Sequence, residues 1–71
     1  MALISRDKFI RALWQLGFEY VTSPGVRTTG FWRGDALYIE VPRVEEIDLE
    51  WARSQLRRCE VSEEEIDDAL R

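Results

Sequence analysis

The sequence predicts a single α+β domain, residues 1–71, in which a three-stranded antiparallel sheet is packed against helices. Three observations predict it. Apolar residues recur at three- and four-residue spacing in two separate stretches, β-type composition with two tight-turn signals fills the stretch between them, and a chain of 71 residues has room for one core. The composition, 45% hydrophobic and 11% aromatic, supplies apolar material to offset the entropy of ordering the backbone.

Ser5 reads as a helix N-cap, and Ile4 before it is placed to pack on Phe9 as a hydrophobic staple. A helix from about Arg6 to Leu16 follows. Phe9, Leu13 and Leu16 mark its apolar face, Ile10, Ala12 and Trp14 widen it, and Gly17 ends it in the left-handed conformation. Residues 18–22 are aromatic and β-branched and are closed by Ser23-Pro24-Gly25, so they read as a strand and a turn. Val26 to Trp32 is the second strand. Gly30 interrupts it, and a bulge there is expected to bring Val26, Thr28 and Phe31 onto a common face. After a turn at Arg33-Gly34-Asp35, Leu37, Ile39 and Val41 alternate with Tyr38 and Glu40 as a half-buried third strand requires.

Pro42 stops that strand, and a charged connection leads to Asp48 as the next N-cap. Leu49, Ala52, Leu56 and Cys59 form one stripe of a second helix. Ser62 with Glu65 makes a capping box, and Val61 with Ile66 its staple, opening a last helix from about Glu63 to Leu70. The predicted order is α-β-β-β-α-α.

Charge and residue types exclude several functions. No apolar run approaches the roughly 20 residues of a membrane span. The first residues, Met1-Ala2-Leu3-Ile4-Ser5, lack a secretory pattern, so a cytoplasmic location is the expectation. The net charge is −4, with ten acids against four arginines from residue 45 onward. Nucleic-acid modules are usually basic, because Lys and Arg neutralise phosphates. RNA is therefore the weaker candidate partner and a protein the stronger. A domain this small also gains stability from a partner, including a second copy of itself.

Histidine is absent, which removes the commonest general base, the commonest metal ligand and the usual activator of a nucleophile. Cys59 lies on an apolar helical stripe beside Glu60 and reads as a core residue. The acids at 63–68 suit a helix start, where they meet the positive end of the dipole, and no calcium loop surrounds them. No catalytic residue, metal site or cofactor is assigned. The candidate RNA- or partner-binding residues are Arg27, Arg33, Tyr38 and Arg43, cations on or beside the sheet near an aromatic surface, together with Trp14 and Trp51 as interface anchors. The ordinary alternative is a solvated sheet face, with Arg53, Arg57 and Arg58 paired to neighbouring acids.

Several local strings carry a resemblance. They are Leu16-Gly17-Phe18 at the end of the first helix, the turn at Pro24-Gly25, the strand end Ile39-Glu40-Val41-Pro42, and the passage from Leu56 through Cys59 to Glu65. In these strings and in element order the chain resembles the HicA (YcfA-like) family of small toxins. That resemblance implies a double-stranded-RNA-binding-domain-like fold and a toxin-antitoxin setting, in which basic, mRNA-cleaving toxins are held inactive by a HicB antitoxin. Members carry a histidine shortly after a glycine in the turn before the second strand. Here that stretch is Gly25-Val26-Arg27, with Arg27 near the histidine's place. A guanidinium stays protonated at neutral pH and cannot act as a general base. The resemblance thus implies a member that keeps the scaffold and partner-binding surface without the nuclease chemistry. Two alternatives stand beside it: an acidic inhibitor or antitoxin-like protein from a mobile element that fills a basic groove of an enzyme or nucleoprotein, and a histidine-independent ribonuclease.

Overall fold

Ser5, Asp48 and Ser62 each hold an extended backbone and turn a side-chain oxygen onto an amide in the first turn of a helix, which fixes where the three helices begin. The computed structural model describes residues 2–21, 28–34 and 37–71. In chain order these form β1 (Leu3–Ser5), α1 (Arg6–Gln15), β2 (Glu19–Val21), β3 (Thr28–Arg33), β4 (Leu37–Pro42), β5 (Glu46–Asp48), α2 (Leu49–Arg58) and α3 (Glu63–Ala69). The α+β class, the three helices and the antiparallel β2-β3-β4 meander are as the sequence predicts. No described helix is long and apolar enough to cross a membrane.

Two features differ from expectation. The first is a second, two-stranded antiparallel sheet, β1 with β5, in a stretch read as a helix lead-in and a charged connection. Both strands end in an N-cap residue, and N-caps adopt the β region. Ile4 and Ile47 face each other in register and enter the core. The Arg6 amide donates to the Glu45 carbonyl at 2.9 Å and the Leu49 amide to that of Ala2 at 3.0 Å, so each segment satisfies the first free N–H of the other's helix.

The second difference is at Gly30. The β3–β4 register runs one to one from Thr28↔Pro42 to Arg33↔Leu37, so there is no bulge in it. Phe31 therefore lies on the opposite face from the Thr28 position, and Val26 is outside the described residues. Gly30 instead accommodates Tyr38, whose side chain crosses it. A Cβ built there would stand 2.5 Å from Tyr38 Oη and 2.8 Å from its Cε2.

One face of the meander presents Phe31, Ile39 and Val41 to Phe9 and Leu13 of α1, Ala52 and Leu56 of α2, and Ile66 of α3. These residues are essentially inaccessible to water. The free edge of β4 is covered by arginines: Arg58 Nη2 donates to the Tyr38 carbonyl at 2.6 Å, and Arg6 Nε to that of Pro42 at 3.0 Å. Occupying these outward carbonyls blunts the edge against strand addition.

α1 and α2 terminate in the same hydrogen-bond pattern. The Phe18 amide reaches the Leu13 carbonyl and the Val61 amide that of Leu56, with the intervening residue left-handed in each case. At α1 that residue is Gly17, φ 90°, whereas at α2 it is Glu60, φ 64°. A Cβ at such a φ costs about 1 kcal/mol. Glu60→Gly is accordingly expected to raise the thermal midpoint by about 5 °C, read by circular dichroism. An unchanged or lower midpoint would count against the strained cap.

Candidate binding surface

Strand alternation sorts the meander's side chains into two faces. Opposite the core, register aligns Glu19, Trp32 and Tyr38 in one row and Val21, Gly30 and Glu40 in the next. The helices lie on the other side, which leaves Trp32 38% exposed and Glu19 and Glu40 open to solvent.

Tyr38 is held in place by three neighbours. Its ring centroid lies 4.9 Å from that of Trp32 with the planes tilted by 47°, its side chain crosses Gly30, and its hydroxyl donates to Glu40 Oε1 at 3.2 Å. Partial desolvation, with the hydrogen bond to and the charge of Glu40, raises the phenol above its ordinary value. The result is an aromatic step with a carboxylate on either side: Glu19 directly across from Trp32, Glu40 bonded to Tyr38.

The residues singled out by sequence do not converge on one place. Tyr38 is central to this face. Arg33 is not on it, because β3 continues through Arg33, which pairs with Leu37 and so shares the side of Phe31. Its guanidinium carbon sits 5.9 Å from the Phe18 ring centroid, and its Nη1 is buried with no hydrogen-bond partner among the described residues. Arg43 is exposed and lines a separate surface groove with Ser5, Arg6, Asp7, Thr29, Val44 and Glu45. Trp14 projects from α1, 59% exposed, beside Ile10 and Arg11. Trp51, expected as an interface anchor, is half-buried and meets Phe9 edge to face at 6.0 Å, so it packs on the core. Arg27 lies outside the described residues. Glu19, Gly30 and Glu40 went unassigned, although period-two counting along β4 places Glu40 with Tyr38; Glu19 joins them only through its register with Trp32.

Most of the cations near the sheet and α2 are engaged within the fold. Arg53 binds Asp67 at 2.5 Å and approaches Glu63 at 3.6 Å, Arg57 binds Glu63, and Arg6 and Arg58 hold the β4 edge. Exposed pairs of this kind are worth little in stability, but they consume both the arginines and the α3 acids facing them. Among the described residues, no three His, Cys, Asp or Glu side chains gather where a cation could be held.

The thiol of Cys59 is buried, and that burial raises its pKa. Arg58 and Arg33 pull it back only in part, and Glu60 adds to the rise. Unfolding returns it to about 8.5. Its contribution to stability is thus complete below about pH 8.5 and is lost as pH climbs toward the higher folded value. Urea unfolding across this range should show that decline, and Cys59→Ala should flatten it. A decline of equal slope in the variant would assign it elsewhere.

Comparison of the chain with protein-family models, with characterised proteins and with solved structures finds no match.

Proposed function

We propose that this chain is a non-catalytic, HicA-like module that works by docking a protein partner on the outer face of its sheet. The observation that carries the reading is the step formed by exposed Trp32 and half-buried Tyr38, bracketed by Glu19 and Glu40. Exposed aromatic side chains fixed by their neighbours are typical interface anchors, since little conformational entropy remains to be lost on binding. The two carboxylates disfavour RNA, whose phosphates would meet like charge on the surface best suited to stacking its bases.

Apart from the added β1–β5 pair, the run α1-β2-β3-β4-α2-α3 supports a HicA-like scaffold, and the lack of histidine supports a binding rather than a cleaving role. The acidic-inhibitor alternative has less to draw on, because Glu63 and Asp67 already face Arg53 and Arg57. The test is affinity isolation of the tagged full chain from its native host, beside Trp32→Ala and a charge-reversed Glu64→Lys/Asp68→Lys variant. A stoichiometric protein retained by the charge-reversed form and lost by Trp32→Ala is expected. The opposite pattern would favour the inhibitor. RNA cleavage by the pure chain that disappears on Arg27→Ala would replace the proposal with a ribonuclease.

A further inference from the structure

Resting on the docking reading above, we infer that the outer sheet face recognises an arginine side chain of a protein partner, with its guanidinium seated on the Trp32–Tyr38 step between Glu19 and Glu40. Shape is the first argument. Tyr38 is drawn across Gly30 by its bond to Glu40 and tilted 47° from Trp32, so the two rings form an open angle instead of a closed stack. A planar group can lie against one ring while its edge meets the other.

Charge is the second argument. Ring faces carry negative quadrupole density and attract cations, most strongly at Trp. Glu19 stands opposite Trp32, where paired Cβ atoms are about 5 Å apart, and Glu40 lies one row on. Register places no basic residue on this face among the described strand residues, so both carboxylates await a cation from outside. Arginine fits better than lysine, because a guanidinium stacks on an aromatic plane and forks toward carboxylates at its rim, whereas an ammonium is a compact, strongly hydrated point charge.

The edge supplies the third argument. Arg58 and Arg6 already occupy outward carbonyls of β4, so a partner strand cannot extend the sheet there without displacing them. On the β4 side, where Tyr38 and Glu40 lie, the partner is left to address side chains on the face.

The test uses the full chain and a short capped peptide alternating glycine and arginine, titrated at low salt and followed by amide and indole resonances. Saturable shifts centred on Gly30, Trp32 and Tyr38 are expected. The Glu19→Gln/Glu40→Gln variant should bind about tenfold more weakly, and the lysine counterpart of the peptide more weakly than arginine. Both substitutions are on exposed side chains, the glutamine at position 40 keeps an oxygen to accept from the Tyr38 hydroxyl, and a dispersed spectrum without peptide, altered only around residues 19, 38 and 40, verifies the fold. Equal affinity of variant and wild type, or shifts centred on Glu64 and Asp68, would overturn the inference. If wild type ignores the peptide while Trp32→Ala still loses its cellular partner, the arginine chemistry fails and the docking face stands. If Trp32→Ala affects neither, both fail.

Discussion

Phe31→Ala is expected to remove most of the domain's stability at room temperature. Phe31 is 1% exposed, lies at the centre of β3 between Tyr20 and Ile39, and faces all three helices across the core. Truncating a buried phenylalanine costs about 3–5 kcal/mol through lost transfer energy and the cavity left behind. A domain of this size has a total stability of about 5 kcal/mol. Far-UV circular dichroism against urea measures the loss, with Phe31→Leu retaining a cooperative transition. A wild-type midpoint for Phe31→Ala would mean that the centre of the core lies elsewhere.

The second large effect is expected at Arg6. Its Nη2 donates to Thr29 Oγ1 at 2.8 Å and its Nε to the Pro42 carbonyl at 3.0 Å, tying the first turn of α1 to β3 and β4. Thr29 is buried, so Arg6→Ala removes the partner of an oxygen that water does not readily reach. The expected cost is about 2–3 kcal/mol. Arg6→Lys should recover only part of it, because an ammonium cannot reproduce two forked bonds. Adding Thr29→Val to Arg6→Ala should restore about 1 kcal/mol by removing the orphaned hydroxyl, and a double-mutant cycle measures that coupling. Additive losses would show that the two residues do not act together.

The helix boundaries were legible because each is written within a few neighbouring residues: Ser5 with Lys8, Asp48 with Glu50, Ser62 with Glu65. The meander was legible from the alternation along its strands, while the turn read at Ser23-Pro24-Gly25 lies outside the described residues. The β1–β5 pair was not. Leu3–Ser5 and Glu46–Asp48 have no strand pattern of their own, and what makes them strands is a partner on the far side of the meander. Gly30 admitted two readings, bulge or close approach, and only the cross-strand neighbour Tyr38 decides between them.

The binding surface was half legible. Tyr38 was found from its alternation with Leu37 and Ile39, whereas Arg33 was assigned to a turn and thereby lost its facing; as the last residue of β3 it must follow Phe31 inward. Trp14 and Trp51 flank their stripes alike in sequence. Phe9 from α1 covers the flank of α2 and nothing described covers that of α1, a difference that helical period alone does not carry.

The ribbon made by Leu3–Ser5 and Glu46–Asp48 gives this small protein a shared lock. The Arg6 and Leu49 amides, which open two different helices, are shielded by one pair of segments and by one pair of isoleucines beneath them. Neither helix can fray from its start while the other stays closed, so the two starts form a single cooperative opening unit. Thermal agitation that parts Ile4 from Ile47 therefore loosens both at once, and two segments far apart in sequence exchange their protons together.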